Sequence, residues 1–196
     1  MSLSISSFAA FSINFAEIIS MGHIIYKEFY GCFGHRVWNQ NLVEAFADTT
    51  SCTCRHLHGH NFKVVVYLES GKLVNGMVTD FKHLKAFSNW LDRVMDHKTL
   101  MDISDPMLPA LLPHAKVEDS ILELKDAPYS IPDGGAHLTE IEMELYGGIV
   151  LVNFVPTAEN ISKWLFDVVN KHLPKGVRCT KLEFWETSKA GAIYFE

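Results

Sequence analysis

Residues 54–70 read CRHLHGHNFKVVVYLES, and the second half of this stretch decides how the chain is organised around it. From His58 onward there is no proline, and Phe62, Val64, Val66 and Leu68 recur at every second position. That period belongs to a strand with one buried face. On such a strand His58 and His60 also point to one side, because successive side chains alternate between faces. Two imidazoles so placed can chelate a single cation, and neutral imidazole nitrogen is a good zinc ligand. Gly59 removes bulk between them.

Working outward, His23 to His35 reads HIIYKEFYGCFGH, rich in Ile, Tyr and Phe, which predicts a neighbouring strand ending near His35. His35 is therefore the candidate third ligand. Three protein ligands leave one coordination position open, as in catalytic zinc. Other readings stand beside this one. Ten histidines produce close pairs by chance. Cys52, Cys54, His58 and His60 could instead close a four-ligand structural site, with a spacing tight for a finger or ribbon. Cys54 could serve as a nucleophile or general base if a cation or imidazole makes its thiolate accessible. It could equally be a buried, inert cysteine.

Downstream, the glycine-containing stretch from Ser70 to Gly76 predicts a turn, followed by a short returning strand at Met77 to Thr79. Asp80 caps a predicted helix whose Phe81, Leu84, Phe87, Leu91 and Val94 fall at spacings of three and four, running to about Met95. Asp96 then stands beside His97, where an acid can orient an imidazole or raise its basicity; the histidine is also a dipole-favourable cap. A second helix is predicted from Pro156 and Thr157, with Glu159 in its first turn and Ile161, Leu165, Val168 and Val169 as its buried stripe. Pro174 and Gly176 stop it. VRCTKLEFWE and GAIYFE read as two closing strands. Glu186, near the end of the first, can accept two hydrogen bonds from an amino-pyrimidine edge, or be a solvated acid. The plan is two strands, helix, helix, two strands. It is interrupted by residues 101–152, a proline-containing piece with one predicted strand, GGIVLVNF.

With 196 residues and 48% apolar content, the chain can bury one sizeable core. A net charge of −6 gives no general attraction to nucleic acid or an anionic membrane, so an anionic substrate needs locally placed cations. Lys27, Arg36 and Arg55 lie near the histidine motif in sequence. Four cysteines in a chain of this size do not form a dense disulfide framework, and a cytoplasmic location is expected. Residues 1–21 hold a short apolar stretch with no Lys or Arg before it, unlike a secretory signal, and read as an N-terminal extension of unknown role. The domain is expected to span residues 22–196. No run approaches the ~18 apolar residues of a membrane span.

Taken in order, the aromatic strand ending at His35, CRHLHGHNFKVVV, GMVTDFKHLK, MDHKTL, PTAENISKWL and FWETSKAGAIYF resemble the motifs of the 6-pyruvoyltetrahydropterin synthase family. Its bacterial branch makes 6-carboxytetrahydropterin for queuosine and other deazapurines. The likeness covers roughly residues 22–100 and 150–196. It implies an α+β T-fold (tunnelling fold), an antiparallel sheet with two helices on one face, here with a long insertion between the helices at about 101–150. It implies that His35, His58 and His60 bind Zn2+, that Cys54 is the proton-abstracting thiolate, and that Asp96 and His97 complete the acid/base set. Glu186 would anchor the pterin ring, with Thr157 and Glu159 near its pocket.

The implied reaction turns 7,8-dihydroneopterin triphosphate into 6-carboxy-5,6,7,8-tetrahydropterin, acetaldehyde and triphosphate without a nicotinamide or flavin. Consistent with that, the sequence has no G-x-G-x-x-G or P-loop pattern. Cys54 precedes His58 by four positions, the spacing of the carboxy branch rather than the pyruvoyl one. A cysteine there also argues against the branch that cleaves dihydroneopterin toward a folate precursor, which carries glutamate. The likeness further implies a homo-oligomer, usually a hexamer, with sites built from neighbouring subunits and no nucleic-acid or membrane partner. The alternatives are 6-pyruvoyltetrahydropterin formation, a relative whose substrate the insertion has changed, and a non-catalytic zinc- or pterin-binding protein. Cys32 and Gly34 before His35, where the family has small alanines, Val155 in place of an asparagine before Pro156, and the insertion itself are departures from the pattern.

Overall fold

The computed structural model describes residues 22–116, 131–132 and 137–196; the N-terminal extension and residues 117–130 and 133–136 of the insertion lie outside them. Along the chain the elements are β1 (Ile25–His35), β2 (His58–Ser70), α1 (Lys85–Val94), β3 (Lys98–Asp102), α2 (Leu108–Leu111), β4 (Ala115–Lys116), β5 (Ile131–Pro132), α3 (Glu140–Gly148), β6 (Ile149–Val152), α4 (Ala158–Lys171), β7 (Val177–Trp185) and β8 (Gly191–Phe195). Six of the strands form one sheet in the order β6-β3-β1-β2-β7-β8, and β4 pairs with β5 apart from it.

The helices form where the pattern places them. The Asp80 carboxylate accepts from the Lys82 backbone N–H at 2.8 Å, starting a 3-10 turn over Phe81–Leu84 that runs into α1. Thr157 caps α4 in the same way, accepting from the Asn160 N–H at 3.3 Å. Phe87, Trp90, Leu91 and Val94 of α1 and Ile161, Leu165, Val168 and Val169 of α4 share one core with Phe29, Phe33, Phe62, Val64, Val66 and Leu68 of the sheet. Trp90 and Trp164 meet edge to face, ring centres 5.1 Å apart, where the two helices touch.

Two expectations need correction. The returning strand at Met77 to Thr79 is reduced to a single bridge between Val74 and Met77. Asn75 and Gly76 take positive φ of 52° and 78°, so the chain reverses in two left-handed residues. More consequentially, the sheet is mixed rather than antiparallel. β1–β2, β2–β7 and β7–β8 are antiparallel, whereas β3 runs parallel to both β1 and β6.

The physical reason is burial on both faces. Leu100 of β3 and Val150 and Val152 of β6 enter the main core, while Met101, Ile149 and Leu151 enter a second core with Leu108, Leu112 and Tyr146. The insertion thus lays its own helices on the face of β3 and β6 turned away from the main core. It is also fastened to the end of β1. Arg36 Nε lies 3.0 Å from Asp105 Oδ2, an ionic contact out of line for a hydrogen bond, and Trp38 donates to Asp102 at 2.9 Å. No helix among the described residues is long and apolar enough to cross a membrane.

Candidate metal and active site

Strand register does most of the work of building the site. β1 and β2 pair continuously from Ile25 opposite Leu68 to His35 opposite His58, so the last residue of one strand faces the first of the other. His60 stands two residues along on the same face. The ligand nitrogens of His35, His58 and His60 lie within 4.8 Å of one another. Gly59 serves a purpose different from the one its position suggested: a Cβ there would stand 3.0 Å from the Phe33 carbonyl oxygen, so the glycine lets the two strands close.

Two backbone carbonyls set the chemistry of these rings. His35 Nδ1 is 2.6 Å from the Pro156 oxygen and His58 Nδ1 is 2.8 Å from the His56 oxygen. A carbonyl can only accept, so each Nδ1 carries the hydrogen and each Nε2 is left as a bare lone pair. Those two Nε2 atoms are 3.1 Å apart. Lone pairs aimed at one another at that distance repel unless a cation lies between them, and a ligating histidine held through its other nitrogen is the ordinary arrangement at a metal. Burial, assisted by the neighbouring imidazoles against the Pro156 hydrogen bond, brings the pKa of His35 down to about 4, and burial also lowers His60. The His35 ring is therefore neutral near pH 7, the form that ligates. Neither Cys52 nor Cys54 belongs to this set, so the described residues do not assemble the closed cysteine–histidine site.

The three histidines open into a cleft of about 930 Å³ that also holds Cys54, Thr157, Glu159 and Glu186. Cys54 sits in a 3-10 turn over Thr53–Arg55, and its carbonyl accepts from the Val37 N–H at 2.8 Å, fixing this turn against the chain leaving β1. Burial, then contact with Cys52 and the charge of Glu186, pushes the Cys54 thiol above its ordinary range. Glu186 follows β7 and reaches to 3.8 Å from His35 Nε2; burial raises its pKa against the opposing pull of His58. Asn39, Gln40 and Thr53 add polar groups that sequence reading missed, since residues 36–57 carry no periodic signal. None of Lys27, Arg36 and Arg55 lines the cleft. Arg36 is buried against Asp105, and Arg55 donates to Asn41.

Asp96 and His97 are not brought to this cleft. Cys32 and Gly34 alternate with Phe33 and His35 and so point to the opposite face of β1, where with Gly59 and Asn61 they line an open groove of about 410 Å³ that holds His97. Asp96 accepts from the Cys32 N–H at 2.9 Å and from His97 Nδ1 at 2.9 Å. The Cys32 N–H, with His97 adding to it, holds the Asp96 carboxyl below the usual carboxylate range. The His97 side chain is 80% exposed.

With this geometry in place, known proteins bear on it. A family model described as 6-pyruvoyl tetrahydropterin synthase matches residues 24–196. The chain is 31% identical over 176 residues, 83% of itself and 91% of the relative, to 6-carboxy-5,6,7,8-tetrahydropterin synthase of Aquifex aeolicus (strain VF5). It is 24% identical over 135 residues, 69% of itself and 75% of the relative, to dihydroneopterin monophosphate aldolase of Pyrococcus furiosus. Among solved structures, an uncharacterised protein from Wolinella succinogenes is similar at a TM-score of 0.78 and 40% identity, with 90% of this chain and 99% of that one covered.

Proposed function

The chain belongs to the 6-pyruvoyl tetrahydropterin synthase family and is a lyase-type enzyme, and from that premise we propose that it converts 7,8-dihydroneopterin triphosphate to 6-carboxy-5,6,7,8-tetrahydropterin, releasing acetaldehyde and triphosphate. The observation that carries this reading is the meeting of three imidazoles, one thiol and the half-buried Glu186 carboxylate in a single cleft. His35, His58 and His60 would hold Zn2+, which supplies Lewis-acid polarisation of the substrate's side-chain oxygens and so acidifies neighbouring C–H bonds.

The protein groups divide the remaining work. Glu186 accepts hydrogen bonds from the amino-pyrimidine edge of the pterin, with Thr157 and Glu159 bounding the ring's pocket. Cys54 removes a proton from the side chain. Burial raises its pKa, so a cation beside it is what brings out the reactive thiolate. Asp96 and His97 complete the proton transfers from a second copy of the chain, because their own chain turns them to the other side of β1. The same copy must bring the cations for the triphosphate that the cleft lacks. The protein on this reading is a homo-oligomeric T-fold enzyme of the cytoplasm, residues 22–196 forming its domain, and its product feeds queuosine or another deazapurine.

The match to the aldolase makes cleavage of a dihydroneopterin the second reading. A thiol at position 54, where that branch carries glutamate, favours the synthase. Incubating zinc-loaded protein with 7,8-dihydroneopterin triphosphate and resolving the products by mass decides among them. Formation of 6-carboxytetrahydropterin and acetaldehyde, abolished in Cys54→Ala, is expected. A 6-pyruvoyl product, an aldol-cleavage product, or no turnover by folded, zinc-bound protein would each overturn the assignment.

A further inference from the structure

On the side of β1 away from the three histidines lies a second constellation of ligand atoms. Cys32, Asp96 and His97 present a sulfur, a carboxylate oxygen and an imidazole nitrogen within 4.8 Å of one another. Bonds of about 2.0–2.3 Å to a tetrahedral zinc place neighbouring ligand atoms roughly 3.3–3.8 Å apart. Cys32 Sγ is 3.7 Å from Asp96 Oδ1, and His97 Nδ1 is 2.9 Å from Asp96 Oδ2. The three side chains need move only slightly to share an ion, with the His97 ring hydrogen that Nδ1 donates to Asp96 passing to Nε2 so that Nδ1 can ligate.

The backbone is already shaped for this grouping. His97 takes a φ of 57°, a left-handed conformation uncommon for a side chain-bearing residue, and its N–H donates to the Cys32 carbonyl at 2.8 Å. That pair of contacts fixes the imidazole beside Cys32. The Cys32 N–H in turn fixes the carboxylate, as outer-shell donors do for metal-binding acids. At Gly31 a Cβ would come within 2.8 Å of Asp96 Oδ1, so the glycine leaves the carboxylate its place. In the single chain the groove is open and His97 is largely solvent-facing, giving an ion a way in and a free position for water.

We propose that Cys32, Asp96 and His97 form a second metal site, for a thiophilic divalent cation of the zinc and cobalt type, separate from the three-histidine centre. On coordination the Cys32 thiol gives its proton to solvent, and thiolate and carboxylate together neutralise the ion's charge. Occupancy removes Asp96 and His97 from proton transfer, so excess metal represses turnover. That consequence rests on the function proposed above; the site itself does not.

Metal-stripped full-length protein is titrated with Co2+ and followed both by bound metal per chain and by thiolate-to-cobalt absorption. Two equivalents are expected. Cys32→Ala should lose one equivalent together with the absorption that Cys32 contributes, and Cys32→Ser, which keeps the side chain's size, should weaken the same equivalent. His58→Ala should lose the other equivalent and keep that absorption. A single equivalent in the wild type, or a second one that survives unchanged in folded Cys32→Ala, would overturn the site. In turnover assays, inhibition by excess Zn2+ that is equal in wild type and Cys32→Ala would overturn the repression while leaving the metal count to stand.

Discussion

At the scale of single residues, backbone groups decide what the side chains can do. The Pro156 and His56 carbonyls choose the tautomers of His35 and His58, and the Cys32 N–H lowers the pKa of Asp96 more than any other contact does. The last of these has a pH signature. A carboxyl whose pKa is depressed by folding contributes stability above its unfolded value, and that contribution is lost as pH falls through the folded value. Asp96→Asn keeps an oxygen for the Cys32 N–H but removes the charge and, with an NH2 in place of Oδ2, the acceptor for His97 Nδ1. The variant should therefore be less stable than wild type at neutral pH, with the gap narrowing in strong acid, as pH falls through the lowered Asp96 value and the carboxyl too becomes uncharged. Urea midpoints at the two pH values measure it. A gap independent of pH would show that the charge contributes nothing. Of this chemistry the sequence revealed the imidazoles, because HGH sits on a strand of clear period. The carbonyls that orient them leave no side-chain trace.

At the scale of elements, β3 and β6 turn the insertion from an appendage into part of the sheet. Leu151 is 2% exposed and packs with Met101, Leu108 and Tyr146 on the face opposite the main core. Leu151→Ala should cost about 2–5 kcal/mol in urea unfolding, the range for a leucine truncated in a packed core. A cost below about 1 kcal/mol would mean that the second core yields easily around the lost volume. The elements most legible in sequence were those that wear one period: Phe62, Val64, Val66 and Leu68 of β2 recur at every second position, and α1 and α4 show a single apolar stripe. A strand buried on both faces has no alternation to read. The strand predicted in GGIVLVNF is β6, and Ile149 to Val152 are all buried; a run of that kind carries no signal for which face meets which core. Their direction was hidden for the same reason, since parallel pairing is fixed by the crossovers that return the chain and not by local pattern.

At the scale of the whole molecule, the proposed catalytic groups are turned apart within one chain. The cleft with Cys54 lacks Asp96, His97 and any lysine or arginine among its described lining, while His97 stands exposed on the opposite groove. Tyr26 and Tyr30 of β1 and Ile193 and Phe195 of β8 leave large apolar surface uncovered, and β8 ends the sheet with an open edge. Open edges and self-complementary faces are what closed homo-oligomers cover. If assembly brings the Cys54 of one chain to the His97 of the next, two inactive variants can repair each other. Cys54→Ala and His97→Ala, each inactive alone, should regain turnover when co-assembled, because some sites then draw both intact residues from different chains. Random pairing around a ring gives about a quarter of the sites in an equal mixture. Complementation near that fraction, absent when the separately assembled variants are simply mixed without subunit exchange, is the expected result. If instead each chain used its own Cys54 and His97, every site in the mixture would lack one of them, and co-assembly would restore nothing.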